Sequence, residues 1–278
     1  GFSGGVRVKK ETREQEISFE YSYLGDDFRS DLGILRRIGV SKFCPYYAYK
    51  IYPKKGKVNY HRLAYYHWLW FKLNSSTENI LENNFLTSFR TVYKNQSLLE
   101  FRLYNSNEYL PKNFDPTGIN ADSPLQGGKT YQSRIFEINF SSNPAKDFYL
   151  VVAQNYGKFY DGTKYSFENS FFLRFQPKLL TSIKLNYDQI NLNHLNKTAK
   201  IWLIGPKFDF TFSKKLFWAT LVQFNSQSEN LGVNSRIQWR FNGLSNLFLV
   251  YNDNYLVRET GPISPRIRSL NLKISYWF

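Results

Sequence analysis

Along most of the chain, apolar and polar residues alternate one by one. In the final stretch Leu270, Leu272, Ile274, Tyr276 and Phe278 fall on one side of a pleated strand, and Asn271, Lys273, Ser275 and Trp277 on the other. Ile237, Trp239 and Phe241 alternate in the same way with Arg236, Gln238 and Arg240, and Leu99, Phe101 and Leu103 with Glu100, Arg102 and Tyr104. Phe208, Phe210 and Phe212 are separated by Asp209 and Thr211. A period of two is the signature of a strand whose faces meet different surroundings. A soluble globule would gather its Leu, Ile and Val into runs for one dry core. Here arginines recur on the polar side, which points to a water-filled or polar-packed interior and an apolar exterior.

Short breakers separate several of these segments, among them Ser142-Asn143-Pro144, Ser213-Lys214-Lys215 and Asn242-Gly243, as hairpins require. The pattern predicts an all-β fold, a transmembrane antiparallel up-and-down β-barrel of about fourteen strands, within a range of roughly 12 to 16 and with even numbers favoured. Tyr104 to Lys129 holds Pro111, Pro116, Gly118, Pro124, Gly127 and Gly128, and Asn252 to Arg268 holds Gly261, Pro262 and Pro265. Both are expected as long extracellular loops, alternating with short periplasmic turns. Gly25 to Lys42 is expected to be a loop, with a turn of helix or an inward plug as alternatives. Tyr46-Tyr47, Tyr65-Tyr66, Trp68 and Trp70 are candidates for aromatic girdles at the lipid–water interfaces.

Composition narrows the choice. The 278 residues are 19% aromatic, yet mean hydropathy is −0.48, as strands facing two solvents require. One barrel domain spanning 1–278 is expected. The longest uncharged apolar stretch, Leu63 to Phe71, is interrupted by His67 and falls well short of the roughly 18 residues a spanning helix needs, which excludes helical insertion. Cys44 is the single cysteine, so no internal disulfide forms. With no Met and an opening Gly1-Phe2-Ser3-Gly4-Gly5, the chain is expected to be the C-terminal part of a longer precursor, and the lack of a signal peptide says nothing about location. The net charge of +15 comes from Lys and Arg scattered between aromatic residues, clustered at most in pairs such as Lys54-Lys55 and Arg36-Arg37. Charged lumen and rim positions account for it, and would attract anions or lipopolysaccharide phosphates. Nucleic acid is not an expected partner.

Little in the sequence points to chemistry. His61, His67 and His194 have no second ligand at metal spacing, and no cofactor is expected. A hydrolase would need a nucleophile beside His61 or His67, and no serine motif accompanies either. Asp26-Asp27 reads as a solvated turn, and Gly4-Gly5 and Gly127-Gly128 lack the helix and lysine of a phosphate-binding loop.

Several segments carry a resemblance: Phe28-Arg29-Ser30-Asp31-Leu32-Gly33-Ile34-Leu35-Arg36-Arg37, Gln223-Phe224-Asn225-Ser226, Arg236 to Phe241, Leu247 to Asn252 and the closing Ser269 to Phe278. Together they resemble a Bacteroidetes outer-membrane family of unknown function that pairs an N-terminal carbohydrate-binding-module-like sandwich with a C-terminal β-barrel. The resemblance covers most of this chain and corresponds to the barrel part. It implies the fold and a bacterial outer-membrane location, and supplies no catalytic residue. The last strand also resembles the recognition signal read by the barrel-assembly machinery. Leu270, Leu272, Ile274, Tyr276 and Phe278 are the expected assembly signal, and that machinery an expected partner during insertion.

The leading functional expectation is a non-enzymatic barrel that anchors, or forms a subunit of, a larger outer-membrane assembly, surrounded by outer-membrane lipid, lipopolysaccharide and protein partners. The alternative is a pore or transporter for small anionic solutes, lined by Arg102, Arg236, Arg240 and Lys273. A third, an outer-membrane hydrolase, would depend on His61 or His67.

Overall fold

A computed structural model describes residues 1–29, 37–73, 80–118, 124–194, 198–258 and 261–277. The described residues form an all-β fold of fifteen antiparallel strands in one sheet, with no helix. They are β1 (Ser3–Glu11), β2 (Gln15–Leu24), β3 (Val40–Ile51), β4 (Val58–Lys72), β5 (Ile80–Tyr93), β6 (Leu98–Leu110), β7 (Lys129–Ser141), β8 (Phe148–Phe159), β9 (Gly162–Phe175), β10 (Leu179–Asn191), β11 (Ala199–Thr211), β12 (Leu216–Asn225), β13 (Asn230–Arg240), β14 (Asn246–Leu256) and β15 (Ser264–Ser275). Each strand neighbours the next in sequence, a pure meander. The count lies inside the expected range but is odd. The weakest strand by pattern is β1, in which only Val6 and Val8 are apolar.

Connections after odd-numbered strands are short turns, at 12–14, 52–57, 94–97, 142–147, 176–178, 212–215 and 241–245. Those after even-numbered strands include all the long ones, at 25–39, 73–79, 111–128, 192–198 and 257–263. Two expected loops are shorter than their sequence suggests. Tyr104 to Leu110 continue β6, because Ser106, Asn107 and Glu108 pair with Asn84, Asn83 and Glu82 of β5. Asn252 to Leu256 likewise extend β14, and β15 resumes at Ser264 with Pro265 opposite Tyr255, at a register shift. Proline is tolerated there because the register shift interrupts the ladder of hydrogen bonds. Within the expected loop at 25–42, Ser30 to Arg36 lie outside the described residues, and β3 begins at Val40.

The chain divides into two compact units, Gly1–Asn139 with Asn155–Tyr165 and Ile190–Thr198, and Phe140–Gln154 with Ser166–Gln189 and Ala199–Phe278. In the first, Tyr47 pairs with Tyr65, Tyr65 with Thr87 and Thr87 with Leu103, one row of the apolar face. The adjacent row, Ala48, Ala64, Ser88 and Arg102, belongs to the other face. Burial is inverted relative to a soluble protein. Leu63 is 54% exposed, and Val8, Phe19, Phe101 and Leu103 are exposed with it, whereas Ser18, Arg62, Glu82, Asn84 and Glu100 are buried. Small side chains on the polar face, Ala48, Ala64 and Ser88, leave room for the long polar ones of flanking rows to fold across them.

The pleat also corrects the aromatic candidates. Neighbouring residues point to opposite faces, so Tyr47 and Tyr65 lie on the apolar face, while Tyr46, Tyr66, Trp68 and Trp70 lie on the polar one with Arg62 and Asn84.

In the second unit Trp218 pairs with Ile237, Ile237 with Leu249 and Leu249 with Leu272 along the apolar face. Ala219, Arg236, Val250 and Asn271 form the matching row on the polar face. Phe210, Phe212 and Trp218 stack on the apolar side, Phe210 and Trp218 with ring centroids 5.2 Å apart. Cross-strand aromatic contacts of this kind fix register.

Candidate functional site: the polar face

On the polar face of the first unit, long charged side chains satisfy one another. Glu16 receives Lys50 Nζ at 2.5 Å and the Tyr46 hydroxyl at 2.6 Å, with Arg62 Nη2 at 3.6 Å. The Arg62 guanidinium also donates to Tyr46 and, at 3.0 Å, to the Tyr66 hydroxyl. These groups border a recess of about 390 Å³ that includes Arg7, Glu20, Lys42 and Trp68. Further along, Glu100 is 2% exposed and accepts from Arg90 Nη2 and Arg102 Nε, each at 3.0 Å. Arg102 reaches on to Glu137 at 2.9 Å, beside a second recess of about 300 Å³ with Leu86, Tyr104 and Lys164. Arg37, from the connection between β2 and β3, places Nε 2.9 Å from Glu82 and Nη2 3.5 Å from Glu108. Part of that connection is therefore tied to the polar face.

The second unit differs. Its polar face carries an amide ladder: Asn230 donates to Asn254 at 3.3 Å, Asn234 donates to Asn252, and Asn252 donates to Ser269 at 3.4 Å. Gln223, Asn225 and Gly232 join these around a recess of about 270 Å³. Arg236, Arg240 and Lys273 share this face, and none forms an ion pair with a described residue. Arg240 lies over the Phe217 ring at 5.9 Å. Of the four expected lumen cations, these three are brought together on one face, whereas Arg102 of the first unit is bracketed by two carboxylates.

Other expected residues fall as follows. Leu270, Leu272 and Ile274 form an exposed apolar row on β15, and Tyr276 follows the strand, 6.4 Å from Phe241. Phe278 lies outside the described residues. His61 bonds Thr91 at 2.9 Å and stacks on Phe89, and His67 bonds Asn83 at 2.7 Å. No described group of three or more His, Cys, Asp or Glu side chains could hold a metal ion.

No family model matches this chain. No curated protein matches it either. The site therefore stands on geometry alone.

Two polar clusters escaped the sequence reading. His194 lies 2.7 Å from Asp161, which is 33 residues away in the chain. Asp253 is 1% exposed on the otherwise apolar face of β14, and its Oδ2 accepts from Tyr251 and Tyr255 at 2.6 Å and from Arg268 Nε at 2.8 Å. Asp253, Tyr255 and Arg268 fell in a stretch expected to be a loop, and Arg268 becomes their neighbour only through the pairing of β14 with β15.

Proposed function

We propose that the protein is a non-enzymatic β-barrel of the Gram-negative outer membrane, in which the fifteen-stranded sheet closes on itself, and that it serves as a membrane anchor or subunit of a larger outer-membrane assembly. The observation that carries this reading is the inverted burial of the first unit: aromatic and aliphatic side chains stand exposed along one face, while carboxylates and guanidinium groups are buried on the other. In water the exposed rows would be an aggregation liability, since apolar patches of this extent mark an apolar surrounding or a partner. Against lipid they need no cover. The resemblance to the Bacteroidetes family agrees with this placement.

A role as anchor or subunit is favoured over transport by how the polar face is used. The ion pairs around Glu16, Glu82 and Glu100 consume the charges that would otherwise bind solute. The second reading, a pore for small anions, rests on Arg236, Arg240 and Lys273, which have no ion-pair partner among the described residues. Purification from native membranes in mild detergent, followed by identification of co-purifying proteins and single-channel recording, separates the two. Stoichiometric partners without conductance are expected. A stable anion-selective current from the protein alone, reduced by Arg236→Gln with Arg240→Gln, would establish the pore instead.

A further inference from the structure

The positive charge is not distributed evenly between the two ends of the strands. In the first unit the short turns carry Arg13, Lys54, Lys55, Lys57 and Lys94 against a single carboxylate, Glu14. In the second they carry Lys146, Lys178, Lys214 and Lys215 against Asp147. All nine cations are exposed, and none is ion-paired with a described residue. Among the described residues the connections at the other end carry no such excess, with three cations against four carboxylates in the first unit and Arg258 against Glu229 in the second. Both units, each taken by itself, have the same polarity.

Exposed aromatic rings accompany the lysines in the second unit. Phe148, Phe175, Phe212, Trp239 and Tyr276 all stand exposed at or within two residues of the short-turn end. Rings at headgroup depth with lysines just beyond them are the arrangement that a charged lipid surface selects. The cations sit on separate turns, one to three apiece, instead of lining one concave patch. That spread suits a fluid layer of headgroups better than the shaped surface of an acidic protein.

We infer that the short-turn end of each unit, taken by itself, is a binding surface for anionic phospholipid, the lysines taking headgroup phosphates of the leaflet those turns meet. The inference rests on the membrane reading above. It gives the long-loop and short-turn ends different lipid preferences and orients the protein in the bilayer.

The test uses the full chain in nanodiscs of mixed phosphatidylcholine and phosphatidylglycerol, with the retained lipids counted by native mass spectrometry. One lysine beside an anionic surface is worth about a fivefold preference at moderate salt. Replacing Lys178, Lys214 and Lys215 by Gln is expected to lower phosphatidylglycerol retention roughly tenfold or more, whereas Arg258→Gln at the opposite end leaves it unchanged. Unchanged circular dichroism confirms that both variants fold. Equal retention by wild type and the triple variant overturns the inference. So does a variant that keeps its lipid but loses a stoichiometric acidic protein, which would make the surface a protein contact. Failure of the wild type to enter nanodiscs with protease-protected strands instead removes the membrane reading itself, and the inference with it.

Discussion

Glu100 is the residue on which the polar face of the first unit depends most. Its carboxylate is buried between Arg90 and Arg102, so replacing it leaves Arg90 without its ion-pair partner and Arg102 held by Glu137 alone. Glu100→Gln is expected to cost about 3 kcal/mol, read as a lowered urea midpoint in vesicles. Arg102→Gln should cost less, about 1 kcal/mol, because Arg102 is 35% exposed and Glu100 keeps Arg90. Backbone proximity sets a second constraint. A Cβ on Gly157 of β8 would overlap the carbonyl oxygen of Arg134 on β7, so Gly157→Val should disrupt this pairing and lower the yield of protease-resistant protein. Arg102 was legible from alternation as a polar-face residue. Its partner Glu137 was not, since they lie 35 residues apart and meet only through strand register.

At the scale of the strand, alternation of side chains was the legible quantity, and it assigned the faces of β6, β11, β13 and β15 directly. It failed at strand ends. Asn105 to Leu110 and Asn252 to Leu256 are too polar to read as strand, yet hydrogen bonding to β5 and β15 holds them in the sheet. It also misplaced Tyr46, Tyr66, Trp68 and Trp70, whose aromatic character suggested an interface although their parity places them with Arg62. The face assignment can be tested on β15. Leu270→Arg puts a charge on the apolar side and should cost about 2–4 kcal/mol in folding into vesicles, whereas Asn271→Arg on the polar side should be close to neutral. Equal penalties would refute the proposed lipid contact.

At the scale of the whole molecule, closure is the step from sheet to barrel. In the proposed barrel the fifteen described strands would close by setting β1 parallel to β15. With Cys44→Ser removing the native thiol, a scan of cysteine pairs between the two strands is expected to find an intramolecular crosslink. Crosslinks formed only between chains would show that a second copy completes the sheet. The charge polarity belongs to this scale too. Net charge was plain in the composition, but its segregation stayed hidden until each connection could be assigned to an end, because the lysines are dispersed along the sequence.

The odd strand count bears on compartments. A thread that pierces a wall an odd number of times finishes on the far side. In the proposed barrel β1 therefore starts beside the long loops and β15 finishes beside the short turns, so these two strand ends face different aqueous spaces. With Cys44→Ser as background, cysteines at Phe2 and at Trp277 should react with a membrane-impermeant maleimide from opposite sides of the membrane, only the first in intact cells.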